Sequence, residues 1–153
     1  LVVAAQVLLR EGLVRRVGIL DFDQHWGDGT EDIIETLKLR AIVHYSAGAE
    51  YRERRQAKRF LEAIPEIVSR FAGCDAILYQ AGADPHVDDP LGGWLATDEL
   101  YLRDRRVFEA ARAMRVPVAW NLAGGYQKPL RKVLDIHDNT LRACWEVYGR
   151  GAS

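Results

Sequence analysis

Short apolar runs alternate with longer amphipathic stretches along nearly the whole chain. Residues 2–12 carry an Ala/Val/Leu face and stop at Gly12, the pattern of a helix with a glycine end. Residues 15–21 follow as a first strand, with Val17-Gly18-Ile19-Leu20 as its buried run. Thr30 is the expected N-cap of a helix reaching about Leu39, with Glu31 and Asp32 in the first turn, where carboxylates suit the helix dipole. Ala41 to Tyr45 reads as a second short strand and residues 46–50 as a loop. Residues 51–72 read as one long helix, charged and solvated in its first half and apolar in its second at Phe60, Leu61, Ile64, Ile67 and Val68. Pro65 is expected to kink or split it. Asp75 to Gln80 is a third strand, apolar on both faces at Ala76-Ile77-Leu78-Tyr79. A loop rich in Gly, Pro and Asp (Val87 to Ala96) leads to Thr97, the expected cap of a helix from Asp98 to about Arg115. Pro117 opens a fourth strand, Val118 to Leu122, closed by Gly124-Gly125-Tyr126; Asp135 to Tyr148 is a final amphipathic helix. This alternation predicts an α/β fold of three layers, a mainly parallel sheet with helices on both faces. There is no internal repeat and no low-complexity segment.

Composition narrows the class. At 153 residues one domain is expected, and 48% hydrophobic residues can fill its core. Lysine plus arginine number 21 against 22 acidic residues, a net charge of −1, so no face is basic enough to favour nucleic acid. The apolar opening, Leu1 to Leu9, is broken by Gln6 and stopped by Arg10; it is too short to span a membrane and lacks the basic start and cleavage site of a leader. Cys74 and Cys144 form no CxxC pair and are expected to be reduced core thiols, which suggests a cytoplasmic location. The chain begins on Leu1 inside a helical pattern, which reads as a fragment or a gene truncated at its start. Nothing here indicates an oligomeric state.

The chemistry gathers where strands end. Asp21-Phe22-Asp23-Gln24-His25-Trp26-Gly27-Asp28-Gly29 leaves the first strand, so Asp21, Asp23 and His25 alternate and share one side, with Phe22 and Gln24 on the other. In open parallel sheets ligands bind beyond the carboxyl ends of the strands. The polar clusters at 21–28, 84–86 and 124–126 all fall there. The residues themselves point to a divalent metal held by Asp23, His25 and Asp84, three ligands that leave a position open for water. Such a cation lowers the pKa of that water and polarises a carbonyl. Tyr126, on a two-glycine turn, is placed to donate to a developing oxyanion.

These segments resemble the histone deacetylase superfamily, which includes acetylpolyamine amidohydrolases. Asp21 through Thr30 looks like its metal-binding strand end, and Ala81-Gly82-Ala83-Asp84 like its second ligand segment, with Asp88-Asp89-Pro90-Leu91-Gly92-Gly93 and Thr97 in the matching loop. Leu122-Ala123-Gly124-Gly125-Tyr126 is similar to its glycine-rich turn with the catalytic tyrosine. The resemblance implies an arginase-like fold, with residues 1–153 the C-terminal portion of a single deacetylase-like domain. It implies zinc-dependent hydrolysis of acetylated amines, either peptide acetyl-lysine or a small acetylpolyamine. Asp23, His25 and Asp84 would be the ligands, Tyr126 the carbonyl polariser, and Asp21 and Asp28 would orient a histidine pair acting as general base and acid. Two carboxylates and an imidazole also accept Fe²⁺. A structural monovalent cation near Asp21 is a further expectation.

The sequence departs from that pattern in three places. The histidine pair belongs before residue 1, and none of His25, His44, His86 and His137 is adjacent to another. His44 is expected to be a packed core residue, His86 a loop residue and His137 a surface or packing residue. The stretch from Leu39 to Glu62 is short. Trp26 replaces a smaller polar aromatic or a histidine, and would either wall the pocket or pack. Two other functions are open on the residues. One is an aspartate-nucleophile phosphotransferase, with Asp21-Phe22-Asp23 at its centre and Asp88 and Asp89 as its further acidic pair. The other is a non-catalytic metal-binding remnant.

Overall fold

A computed structural model describes residues 1–149. Nine principal elements alternate in the expected order: α1 (Val2–Arg10), β1 (Val17–Asp21), α2 (Asp28–Thr36), β2 (Ile42–Ser46), α3 (Ala57–Ser69), β3 (Ala76–Gly82), α4 (Thr97–Met114), β4 (Val118–Ala123) and α5 (Arg131–Tyr148). The four strands form one sheet in the order β2-β1-β3-β4, and all three pairings are parallel. Helices cover both faces. Leu20, Ile77 and Tyr79 face the larger core with Phe60, Ile64, Val107, Phe108 and Val133, which belong to α3, α4 and α5. Val17, Ile19, Ile42 and Leu78 face a smaller core with Val2 and Ala5 of α1, flanked by Ile34 of α2. This is the three-layer α/β arrangement that the alternation predicts.

Burial explains the strand patterns. β1 lies inside the sheet and is buried at every position. β3, its other interior strand, is nearly so. β4 has an open edge, and its residues are only partly covered or exposed. Gly18 in β1 is needed for packing, since a Cβ there would lie 2.3 Å from Cδ1 of the buried Phe71. Cys74 and Cys144 are free thiols, Cys74 buried. No helix among the described residues is long and apolar enough to cross a membrane.

The helix starts differ from expectation, each for a local reason. α2 begins two residues before Thr30. The Gly27 carbonyl accepts from both Thr30 N and Glu31 N at 3.1 Å, so Gly27 is the N-cap and Thr30 sits within the first turn. The helix also stops at Thr36, because Lys38 adopts φ 53° and Leu39 N turns back to Ile34 O at 2.9 Å. The long helix over 51–72 is shorter. Gln56 Oε1 accepts the amides of Arg52 and Glu53, both at 2.9 Å, which holds residues 54–56 in a 3₁₀ turn before α3 starts at Ala57. Pro65 does not split α3, which runs unbroken past it with Ile64, Ile67 and Val68 buried. Thr97 does not cap α4. Glu99 Oε2 reaches back to Ala96 N at 2.8 Å, and the Thr97 hydroxyl pairs instead with His86 Nε2 at 2.9 Å. α5 starts at Arg131, four residues ahead of Asp135, with Arg131 paired to Asp135 at 2.7 Å along its first turn.

Overpacking a close-packed core costs about 1–3 kcal/mol. Gly18→Ala is therefore expected to lower unfolding stability in urea by about that amount. Adding Phe71→Leu should recover part of the loss; an unaltered urea midpoint for Gly18→Ala would show that Phe71 does not confine β1.

Candidate metal centre

The three strand ends that matter lie side by side. β1 and β3 are in register at Asp21 and Gln80, and β3 and β4 at Gly82 and Ala123. Asp21 and Asp23 therefore leave the sheet beside Asp84 and the Gly124-Gly125 turn. Phe22, between the two aspartates, is fully buried and packs edge-on against Phe60 at 5.0 Å and Tyr79 at 5.7 Å between ring centres. That anchor keeps Asp23 turned out of the core.

Asp23, His25 and Asp84 come together, with one ligand atom of each within 4.8 Å of the others. His25 Nδ1 lies 3.1 Å from Asp23 Oδ1 and 3.2 Å from Asp84 Oδ2, while most of the ring is exposed. A neutral imidazole carries one proton, so Nδ1–H cannot serve both carboxylates. Asp84 is completely buried, and its Oδ2 has no hydrogen-bond donor. Burial, and then the nearby Asp23 charge, push the Asp84 carboxyl up to about 7. A buried carboxylate oxygen without a donor, facing a second carboxylate and an imidazole nitrogen, suits a divalent cation in both charge and ligand type. The residues fit such an ion.

Turns hold the loop around this set. Asp21 is buried under it, and its Oδ1 accepts the Asp23 amide at 3.0 Å and Gln80 Nε2 at 3.4 Å. Burial raises its carboxyl to about 6. Asp23 Oδ1 accepts His25 N at 2.9 Å, and Asp84 Oδ1 accepts Gln24 N at 3.3 Å. Ser46, at the end of β2, accepts Gly27 N on Oγ at 2.9 Å. Gly124, at φ +55°, closes against Asp84; a Cβ there would lie 2.3 Å from Asp84 Oδ1. Tyr126 follows, about half exposed, and its amide donates to Asp89 Oδ2 at 2.8 Å.

Not every candidate joins the cluster. Asp28 is exposed at the start of α2, where its Oδ1 accepts the Gly29 amide at 2.8 Å. Trp26 is exposed and donates Nε1–H to Glu31 at 3.1 Å. His44 is half-buried rather than packed in the core, and burial lowers its pKa. His86 is a buried loop residue whose Nδ1 accepts Asp88 N at 3.0 Å, and His137 is buried in packing on α5. Asp89 holds the backbone at Tyr126, a contact that the sequence pattern did not single out. Its Oδ1 takes Leu91 N at 3.0 Å while Oδ2 holds Tyr126.

Comparison with known proteins agrees with this architecture. An acetylpolyamine aminohydrolase from Burkholderia pseudomallei superposes with a TM-score of 0.67 at 19% identity, over 94% of this chain and 48% of that one. The HDA15 HD domain gives 0.66 at 20%, over 94% and 49%. These likenesses establish the fold, an arginase- and deacetylase-like α/β sheet, present in part. The family model for the histone deacetylase domain matches residues 38–143, and the chain belongs to that family. The matched stretch includes Asp84 and Tyr126; Asp23 and His25 lie before it. An uncharacterized protein of Picosynechococcus is 28% identical over 97% of this chain and 55% of its own length. Histone deacetylase 2 of Arabidopsis thaliana is 29% identical over 79% of this chain and 36% of its own. The chain thus spans about half or less of the relatives it matches.

Gly124→Ala should destabilise the chain by more than the roughly 1–3 kcal/mol of a left-handed non-glycine residue, because its Cβ also meets Asp84. Gly92→Ala is the control, with φ +82° and nothing within 4 Å of the added atom. Equal losses in thermal unfolding would show that the turn does not press on Asp84.

Proposed function

We propose that this chain carries the metal-binding half of a zinc-dependent amidohydrolase that removes acetyl groups from acetylated amines, such as acetyl-lysine or an acetylpolyamine. One observation carries the proposal: Asp23, His25 and Asp84 converge from two parallel strand ends around a buried carboxylate oxygen that has no donor. Membership of the histone deacetylase family, and the fold shared with an acetylpolyamine aminohydrolase, support the reaction class. Fe²⁺ is the alternative occupant of the same ligands. A monovalent cation near Asp21 would offset the cost of burying that carboxylate.

Asp23, His25 and Asp84 would hold the ion. When bound, it supplies a Lewis acid for the acetyl carbonyl and lowers the pKa of water. The chain's own residues do the rest of what is local. Asp84 and Asp23 set the position of the imidazole, which presents Nδ1 to them. The Tyr126 hydroxyl donates a hydrogen bond to the carbonyl oxygen as negative charge grows there. Asp89 fixes the backbone from which Tyr126 projects. Asp21 and Asp28 would orient a histidine pair serving as base and acid, residues that these 153 do not supply. A cytoplasmic setting, with a peptide or small-molecule substrate and no nucleic acid, belongs to the same reading.

A second reading keeps the ligands and drops the turnover. His25 and His86 lie in separate loops, His44 on β2 and His137 on α5, none adjacent to another, so the chain on its own would bind metal and hydrolyse very little. General acid–base help contributes about 10²–10⁴-fold, and its loss should be of that order. An assay of the 153 residues on an acetyl-lysine peptide and an acetylpolyamine decides the point; ordinary turnover would refute the assignment of the base.

Elemental analysis of the purified chain should find one metal ion, lost in Asp23→Ala and in Asp84→Ala. Retention in both variants would end the proposal. In a version extended to include a histidine pair, Tyr126→Phe should lower turnover by roughly 10²–10³-fold with metal content unchanged and substrate binding changed much less. Near-normal turnover would leave Tyr126 as a residue that only packs on the turn.

A further inference from the structure

Arg103 lies in α4 and is completely buried beneath the ligand set. A guanidinium is costly to bury unless its donors are used. Nε donates to Asp104 Oδ1 at 2.7 Å. Nη1 donates to two backbone carbonyls, Phe22 O at 3.1 Å and Gly82 O at 2.7 Å, while Nη2 is buried without a partner among the described residues. Those carbonyls belong to the two strand ends that carry the ligands. Phe22 lies between Asp21 and Asp23, and Gly82 lies two residues before Asp84.

The position of the bridge matters. Pairing between β1 and β3 closes with Phe22 N to Gln80 O at 3.1 Å. Past that bond the Nη1 of Arg103 joins the strands. The approach is close: a Cβ on Gly82 would lie 2.7 Å from Asp23 Cα and 2.8 Å from Asp84 Oδ1. Asp104 holds the arginine in turn. Its Oδ1 also accepts the Tyr79 hydroxyl, and its Oδ2 accepts Thr140 Oγ1 at 2.6 Å. The guanidinium is thereby fixed to β3 through Tyr79 and to α5 through Thr140. An apolar side chain could fill this core as well as a buried ion pair does, so packing alone does not call for arginine.

We propose that Arg103 is a positioning residue for the metal ligands: its bridge from Phe22 O to Gly82 O sets the spacing between Asp23 and Asp84. The proposal rests on reading Asp23, His25 and Asp84 as the ligand set. A lysine cannot reproduce it, because an ammonium is a point charge without the planar fork that serves Asp104 and two carbonyls together.

The test uses the 153-residue chain with Arg103→Lys, and with Arg103→Met combined with Asp104→Asn, which removes both charges and keeps an acceptor for Tyr79. Amide hydrogen exchange is read by NMR at Asp23, Gln24 and His25 and, for comparison, at Ile64 and Val68 in α3. The Gln24 amide is the direct reporter, since it donates to Asp84 across the gap. Both variants should exchange about tenfold or more faster at the three strand-end amides, with α3 protection unchanged. Cobalt(II) titration should show affinity reduced about 10–100-fold and altered ligand-field bands. Unchanged strand-end exchange, or an increase spread evenly over α3 as well, would overturn the proposal. If Arg103→Lys does not fold, the double variant decides alone. If the unsubstituted chain takes up no cobalt, the metal reading fails, and the exchange pattern still decides whether Arg103 spaces the two strands.

Discussion

Asp23 and Asp84 are carboxylates that repel one another in a poorly solvated site, and the parallel pairing of β1 with β3 holds them together regardless. The register that sets Asp21 against Gln80 leaves each aspartate only a short way beyond a fixed point. A slip of one residue would exchange the two sides of β1, turning Phe22 outward and Asp23 into the core. Phe22 resists that slip through its edge-on contacts with Phe60 and Tyr79. The aromatic packing beneath the sheet end thus specifies the polar geometry above it. The raised pKa of Asp84 is the cost of that arrangement, and a cation is the natural remedy for it.

The sheet was the most legible part of the fold. Its two interior strands are buried nearly throughout, so they appear as apolar runs, and the helices between them imply parallel crossovers. Helix ends were harder to place. Thr30 and Thr97 were the expected caps, and neither serves. The carbonyl of Gly27 and the side chain of Glu99 take those roles, and Gln56 holds the turn before α3, through contacts that residue type alone does not announce. Pro65 illustrates the other failure: the buried neighbours Ile64, Ile67 and Val68 outweigh the loss of one amide donor, and α3 continues.

The convergence of Asp23, His25 and Asp84 could be read because strand periodicity places Asp21 and Asp23 on one side and because Asp84 follows the end of an apolar strand. Its supports could not. Arg103-Asp104-Arg105-Arg106 looks like a solvated charge run, yet its first two residues are buried. What separates them from their neighbours is contact with carbonyls 81 and 21 residues away, which no local pattern carries. The contact that Asp89 makes was hidden in the same way. Its partner Tyr126 lies 37 residues on, across a loop whose composition shows only that it turns.

The separation of the two ligand segments has a kinetic meaning. Gln24 and Asp84 meet across 60 residues of chain, and all three strand pairings are parallel, so no tight hairpin can bring them together early. Closing a loop of that size costs on the order of 4 kcal/mol in chain entropy, spent before the contacts it permits can form. An ensemble with its helices formed but β1 and β3 unpaired would therefore contain every ligand residue and no site. Anything that binds only the assembled set draws that ensemble toward the native sheet by mass action, so occupancy of the site and completion of folding form a single linked equilibrium.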